Sequence, residues 1–545
     1  MNTLSWYSSL SERIRQPKLT FLSTLFLALT LCFSEWLLRQ YYAVGSAEHI
    51  GYSVIYGLII GFIITYASSK FVALTYVVFF SIAYTMQYSN LAYFGYWMSP
   101  MDIWLLLEKS AEVLVDGVAM IGHLSVSIVL ILLVCAAFTL CFKMRQQSKQ
   151  KSRALSVFGL ILLLFYPVKM MLDRDFDLGR LPKLQHTAVK TSLYTASRFF
   201  AHILPDEILG LSAVKPALHP APASLNEGLS DNIIFVMGES LSSDYMGVFG
   251  YDQPTTPWLT EQKKEGLGLI KQGFSGGLFT DISVPYLFNM IEKPNARQQI
   301  ERGTANLFRL AKLHGYQTHF LSAQMRSGLA LTSKIGKQWV DDYADSSSIT
   351  GDEYQPVDDS QLLDWLSKID ANKKNFIVLH QNGSHEPYAI RSPLSSKVFG
   401  TSNLLEEYLN SVHYTDSILK AINSRLETLP GKWTLLFTSD HGQHVSKTAG
   451  GKGNFKYSSN YDVPIFIKSN VPQVRDLAGA RFDQCPKVFQ VQLSAFVAEV
   501  LGYSNDFTSC QSGYISGKRL TGDSGYMKLT RLPDTDEYQS KILYR

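Results

Sequence analysis

A chain of 545 residues with 46% hydrophobic and 18% charged residues carries a formal net charge of only +4, which gives no support to nucleic-acid binding. Length alone allows two or three domains. The mean hydropathy of +0.02 averages two unlike parts, because composition changes sharply near residue 173 and much of the positive charge sits in loops before it.

Before that boundary, apolar runs fall at roughly Thr20–Leu38, Gly51–Ser68, Phe71–Tyr88, Val118–Phe142 and Ala154–Val168. Each approaches the roughly 20 residues that cross a ~30 Å hydrocarbon core, which predicts five transmembrane helices. The last is short, but Lys169 can snorkel and extend it toward Leu172. Basic residues set the orientation. Arg13, Arg15 and Lys18 precede the first span, Lys70 follows the second, and Lys143, Arg145, Lys149, Lys151 and Arg153 follow the fourth; the positive-inside rule makes these segments cytoplasmic and places everything after Leu172 outside. The loop Asn90–Gly117, with Trp97 and Trp104, then faces outward as an interfacial amphipathic segment. The first run is longer than a usual signal core and lacks a small-residue cleavage site, so it reads as a membrane helix.

From Asp173 to about Ser212, Leu193, Phe199, Phe200, Ile203 and Leu204 interleave with Lys190, Arg198 and His202, the pattern of a helix lying on a membrane surface. Pro216, Pro220 and Pro222 mark a linker before a globular domain that starts near Asp231. The organisation expected is therefore 1–172 membrane helices, 173–230 bridging helix and linker, and 231–545 an outer domain. In that domain short apolar strands (Ile233–Met237, Thr318–Ser322, Asn375–His380, Thr434–Thr438, Pro464–Ile467) alternate with helical segments (Asn306–His314, Asp359–Ile369, Leu404–Leu426, Val488–Leu501). That alternation predicts a largely parallel sheet with helices on both faces. Cys485 and Cys510 are its only cysteines, and an oxidising compartment would favour a disulfide between them.

The chemistry concentrates where strands end. The strand Asn232–Gly238 delivers Glu239 and Ser240 to a turn, and Trp433–Ser439 delivers Asp440 and His441. Ligands gather at the C-terminal edges of open α/β sheets, and Glu, Asp and His together suit a divalent metal, zinc first. If the site performs covalent transfer it needs a nucleophile beside the metal. The best candidate is Thr280 in Gly276-Gly-Leu-Phe-Thr280-Asp-Ile-Ser283-Val-Pro285, with Ser283 its nearby competitor. A threonine hydroxyl is a poor nucleophile until a cation stabilises its alkoxide.

These residues fall into a set of motifs: Gly238-Glu239-Ser240, Gly250-Tyr-x-x-x-Thr-Thr-Pro257, Thr280-x-x-Ser-Val-Pro285, His380-Gln-x-Gly-Ser-His385, Tyr414-Thr-Asp416 and Ser439-Asp-His-Gly442. In order and spacing, with five spans in front, the chain resembles the lipid phosphoethanolamine transferases of the alkaline phosphatase superfamily over nearly its whole length. The resemblance implies an alkaline phosphatase/sulfatase-like α/β domain in the periplasm, anchored in a bacterial inner membrane. It implies zinc held by Glu239, Asp440, His441 and Thr280, with Thr280 also the nucleophile. His385 would serve as a substrate-phosphate or second-metal residue. Attack by Thr280 on phosphatidylethanolamine would give a phosphothreonine intermediate and release diacylglycerol; an acceptor on lipid A, the lipopolysaccharide core or another envelope glycan would then take the group.

The chain departs from this pattern in three places. Family members that modify lipid A carry cysteines flanking the nucleophile loop, where Gly276 and Tyr286 stand here, so the loop must be held otherwise. Gln443 replaces an expected glutamate and leaves His444 an open candidate ligand. Lys452 stands where a further histidine usually follows; a protonated lysine binds phosphate better than zinc, so one tightly held zinc is expected, with Lys452 on the transferred phosphate and a second ion possible. Tyr414 and Asp416 fall on a helix and are expected to brace rather than react. The rival readings are a sulfatase, a glycerol-phosphate transferase and a non-catalytic lipid-binding relative. Against the first, Thr280 cannot form the aldehyde a sulfatase needs and Ser283-Val-Pro285-Tyr-Leu287 lacks its arginine; against the last, the set Glu239, Thr280, Asp440 and His441 is intact.

Overall fold

The computed structural model describes residues 3–44, 47, 49–94, 97–108, 110, 118, 121–172, 182–205, 218, 220–325, 334–352, 355–504, 509–518, 520 and 525–543. By its contacts the chain divides into two compact units, Met1–Glu108 with Ala119–Leu211 and Lys109–Val118 with Ser212–Arg545.

Four described helices of the first unit are long and apolar enough to cross a membrane: Lys18–Tyr41, Lys70–Tyr93, Ile121–Met144 and Arg153–Leu172. The second expected span is an apolar helix of 15 residues, Tyr52–Tyr66, about 22 Å long at ~1.5 Å per residue and so shorter than a typical hydrocarbon core. Large aliphatic and aromatic side chains such as Phe21, Leu29, Phe33, Leu132 and Phe165 point outward, whereas the charged pair Glu35–Arg39 is buried. That pair, 3.0 Å apart, is fully provided with partners, as a buried ion pair must be. Glu35 Oε2 accepts from Ser53 Oγ at 3.1 Å and Ala188 N at 3.0 Å, and Arg39 donates to His186 O at 2.8 Å.

Trp97, expected at an interface, instead has no exposed surface; its ring lies 5.0 Å from the Arg39 guanidinium and its Nε1 donates to His186 O. Trp104 packs beside Phe199 and Ile203, while residues 111–117 of the same expected loop lie outside the described residues. Within the stretch expected to hold a bridging helix, the described residues form the helix Ala188–Arg198, continued by a π-helical turn Phe199–Ile203, inside the first unit. It buries Ala188, Val189, Thr191, Ser192 and Thr195, and Thr195 Oγ1 donates to Met98 O. Residues 173–181 and 206–217, including Pro216, lie outside the described residues.

The second unit is built on eight strands: β1 Asn232–Gly238, β2 Leu269–Phe274, β3 Gln317–Ser322, β4 Asp342–Ala344, β5 Asn375–His380, β6 Trp433–Ser439, β7 Asp462–Ser469 and β8 Lys487–Phe489, in spatial order β8-β2-β7-β6-β1-β5-β3-β4. From β6 to β4 all neighbours are parallel. Strand β7, an expected strand, runs antiparallel to both β6 and β2, so the sheet is mixed rather than parallel throughout. All residues of β1, β5 and β6 are buried, the near-continuous apolar character of strands covered on both faces. Strand β2, Leu-Ile-Lys-Gln-Gly-Phe, is mostly half-buried and escapes a hydrophobicity reading.

Helix Leu404–Leu426 keeps its expected bounds, capped by Asn403, and Leu307–Leu313 starts from an Asn306 cap. The expected helix Asp359–Ile369 is shorter, Gln361–Leu366. The expected helix Val488–Leu501 opens as the edge strand β8 and becomes helix only at Gln490–Val500, because Lys487, Val488 and Phe489 pair with β2. A three-stranded antiparallel meander, Ser512–Ser516, Tyr526–Arg531 and Tyr538–Leu543, closes the unit. Cys485 and Cys510 are joined in a disulfide.

Candidate active site

Strand register assembles the site. Gly238 of β1 lies level with Ser439 of β6, while Met237 and Ser322 both face His380 of β5. The next residues of these chains, Glu239, Asp440, Gln381 and Ala323, therefore leave the sheet at one edge, and His441 and Gln324 come one step behind. The turn after β1 is tight. Ser240 holds a positive φ of 57°, a conformation worth roughly 1–3 kcal/mol of strain for a residue with a Cβ, offset by its N–H donating to Asp440 Oδ1 at 2.8 Å and its hydroxyl to Glu239 Oε1 at 2.7 Å. Gly383, at φ 54°, passes so near that an added Cβ would stand 2.7 Å from Glu239 N and O, so only glycine fits there.

Glu239, Asp440 and His441 converge, each offering a ligand atom within 4.8 Å of the others. All three are buried. His441 Nδ1 lies 2.8 Å from Gly442 O; a carbonyl only accepts, so Nδ1 carries the proton and Nε2 presents a lone pair. That lone pair faces Asp440 Oδ2 at 3.4 Å and Glu239 Oε1 at 3.7 Å, and Asp440 Oδ2 has no hydrogen-bond partner among the described residues. Burial pushes the Asp440 carboxyl well above the usual range, and the Glu239 charge adds to the push. Glu239 itself is held well below that range: burial opposes its ionisation, but the neighbouring charge of Lys452, foremost among the groups around it, overcomes it. A buried carboxylate oxygen such as Asp440 Oδ2, left without a donor beside a second carboxylate, is costly unless a cation sits among them. The set fits a divalent ion of the nitrogen-and-oxygen type that zinc favours.

Thr280 is the first residue of the helix Thr280–Phe288, where the helix dipole favours negative charge. Its Oγ1 lies 3.2 Å from both Glu239 oxygens and 3.4 Å from His441 Nε2, and unlike the three acceptors it is half-exposed. Ser283 is turned away, its hydroxyl donating to Phe279 O. The turn before Thr280 is held without cysteines: Leu278 N donates to Ser516 O and Ser516 N to Gly276 O, and Gly276 N donates to Gln490 Oε1 at 2.8 Å. The two positions where the resemblance places cysteines are neighbours, since a Cβ on Gly276 would meet Tyr286 Cβ at 3.1 Å, and Tyr286 Oη instead ties to Leu520 O.

A second group of polar side chains is half-exposed. Lys452 Nζ donates to His385 Nε2 at 3.2 Å, and His385 Nδ1 faces Glu386 O. Desolvation, with Lys452 adding to it, drives the His385 pKa well below its ordinary value, so the ring is neutral and accepts from the ammonium. Gly453, at φ +83°, would place a Cβ 2.2 Å from the Phe279 ring, so the turn bearing Lys452 packs on the residue before Thr280.

Other expected residues lie elsewhere. His444 stacks on Tyr457 at 3.8 Å and pairs with Ser459 Oγ, outside the converging set. Gln443 Nε2 donates to Ser384 O. Tyr414 bonds Asp358, and Asp416 accepts from Trp258 N and Leu259 N, capping the helix Pro257–Glu265. Three residues escaped the sequence reading as contributors. Gln324 donates to Glu239 Oε2 at 3.0 Å. His380, in the motif but given no role, has its pKa lowered by burial to about 4 and lies 3.2 Å from Gln324 Nε2. Gln490 spans two turns, accepting from Gly276 N and donating to Ser439 O at 2.5 Å. Glutamines in helical or loop context carry no motif, so no signal marked them.

Residues 231–481 match the sulfatase family model. Over 250 residues, 44% of this chain, the sequence is 31% identical to YhbX of Escherichia coli (strain K12), which carries only the provisional name of a transferase. Over 262 residues, again 44% of this chain, it is 24% identical to the Kdo(2)-lipid A phosphoethanolamine 7''-transferase of the same organism. The chain spans less than half the length of these curated relatives, 43% of each. In fold it is similar to the integral membrane lipooligosaccharide phosphoethanolamine transferase A of Neisseria meningitidis, with a TM-score of 0.59 and 17% identity over 90% of this chain and 96% of that one.

Proposed function

We propose that this chain, whose residues 231–481 form a sulfatase-family domain, is a membrane-anchored, metal-dependent phosphoethanolamine transferase. The observation that carries the reading is the convergence of the Thr280 hydroxyl with Glu239 and His441, beside the buried Asp440. Its relatives include a phosphoethanolamine transferase named for lipid A. In this reading residues 1–172 cross the bacterial inner membrane five times, with the short helix Tyr52–Tyr66 as one crossing. Residues 173–230 link them to a periplasmic catalytic domain over 231–545. Phosphatidylethanolamine is the donor; the acceptor is a hydroxyl or phosphate of lipid A, the lipopolysaccharide core or another envelope glycan.

Glu239, Asp440, His441 and Thr280 would hold one zinc ion. When bound, zinc supplies positive charge that stabilises the threonine alkoxide and the phosphate oxygens. Thr280 Oγ1 bonds to phosphorus as the bond to the glycerol oxygen breaks, and the threonine proton ends on the released diacylglycerol hydroxyl. The helix N-terminus at Thr280 favours the phosphothreonine that results. Lys452 places its ammonium on the non-bridging phosphate oxygens, a point charge suited to phosphate, and neutral His385 orients it. An acceptor oxygen then displaces Thr280 and returns its proton.

The test is peptide mass spectrometry of the purified protein incubated with phosphatidylethanolamine and zinc but no acceptor. A phosphoethanolamine increment on the Thr280 peptide, with diacylglycerol released and neither seen in Thr280→Ala, is expected. Diacylglycerol release with an unmodified Thr280 peptide would overturn the covalent route.

A further inference from the structure

Among the described residues of the second unit, exposed large aliphatic side chains stand singly at separate places, as Leu267, Leu313 and Ile349 do, except in one stretch. There Ile390 is 60% exposed, Leu394 85% and Val398 60%. Isolated exposed aliphatics need no explanation; a cluster does. The stretch is firmly held. Buried Arg391 donates from Nε to His385 O at 2.8 Å and from Nη2 to Glu386 O at 2.7 Å. Tyr388, also buried, donates to Glu386 Oε1 and meets the Tyr408 ring edge-on. Lys397 Nζ reaches back to Ala389 O at 2.6 Å, and Phe399 N donates to Asn410 Oδ1. The buried side of the turn thus carries its polar and aromatic anchors, and the outward side carries three aliphatics.

We infer that Ile390, Leu394 and Val398 form a lipid-docking ridge whose occupant is the acyl region of a phospholipid bilayer. Two observations favour lipid. The chain has four described helices long and apolar enough to cross a membrane, so a bilayer is an apolar phase that this chain itself engages. Exposed Ser395 and half-exposed Ser396 and Lys397 stand between Leu394 and Val398, the mixture that suits an interface where apolar side chains enter and polar ones stay with head groups. The hydrogen bonds from Arg391 to His385 O and Glu386 O make the ridge continuous with a residue of the proposed phosphate site. A lipid gripped there presents its head group to the chemistry. This inference rests on the function proposed above for its substrate, and not for the ridge itself.

The full-length protein in nanodiscs of phosphatidylethanolamine and phosphatidylcholine tests it in two ways. The triple variant Ile390→Ser, Leu394→Ser, Val398→Ser is expected to transfer head groups from the bilayer about tenfold more slowly, while transfer from a monomeric short-chain phosphatidylethanolamine stays within about twofold of wild type. Equal loss on both donors, or loss on neither, would overturn the ridge. Separately, a benzophenone side chain placed at position 394 is expected to cross-link phospholipid on illumination. Cross-links only to a second copy, or only to peptide of the same chain, would sink the idea. Should wild type transfer from neither donor, the proposed function fails, and the cross-link still decides the ridge.

Discussion

Glu239, Asp440 and His441 form one cluster and His385 with Lys452 another, and the two differ in burial and in charge. The first is buried and leaves Asp440 Oδ2 without a donor among the described residues; the second is half-exposed and brings an ammonium that rests on a neutral imidazole. A buried carboxylate oxygen without a donor suits a cation, and an ammonium at a half-exposed position suits phosphate oxygens. Thr280 is in contact with the first cluster through its hydroxyl, and through Phe279 its turn packs against the second. In the function proposed above, a metal ion binds at the first cluster and a phosphate at the second.

The comparison breaks most sharply at Thr280. Thr280→Ala should lower transfer by at least about a thousandfold, the scale on which removed nucleophiles act, yet leave the three other ligands able to bind zinc; loss of zinc with activity would make Thr280 structural. Lys452→Met should retain zinc and cost about 10- to 100-fold in transfer, the worth of a charged hydrogen bond to phosphate. Unaltered kinetics would remove Lys452 from the site. Gln490→Met strips the bridge between the turn of Gly276 and the turn of Ser439, leaving buried backbone groups unpaired at about 1–3 kcal/mol. Transfer should fall by roughly tenfold or more, with a lower melting temperature, and Gln490→Glu should recover only the part owed to the bond from Gly276 N.

Asp416 gives the contrast of a buried carboxyl satisfied by amides rather than by a cation. Burial raises its pKa from 3.8 to about 6. A raised acid stabilises the fold fully below its unfolded value and loses that contribution as pH climbs through the folded one. Between pH 4 and 6, wild type should therefore lose about 1–3 kcal/mol relative to Asp416→Asn, read as converging melting curves; parallel curves would contradict the raised pKa.

Much of the site was legible because it sits where fully buried strands stop. An apolar run that ends in Glu239 or in Asp440-His441 marks both the strand and the group it delivers, and register then aligns them. The same logic placed helix Leu404–Leu426, where a cap and a long amphipathic period agree. It failed at β2, whose Lys271 and Gln272 interrupt the apolar pattern, and at Val488–Leu501, where a strand passes into a helix without a break in hydrophobicity. Trp97 misled because an aromatic near a span reads as an interface anchor, while here it covers a buried arginine. Gln324 and Gln490 matter only through tertiary contacts that no local pattern announces.

The central claim, that one cluster holds the metal and the other the phosphate, is tested most directly by measuring zinc content and inorganic phosphate affinity together in wild type, Glu239→Gln and Lys452→Met. The account predicts one zinc in wild type, zinc lost in Glu239→Gln, and zinc retained with weakened phosphate binding in Lys452→Met. Zinc lost from Lys452→Met, or two stoichiometric zincs in wild type, would contradict it.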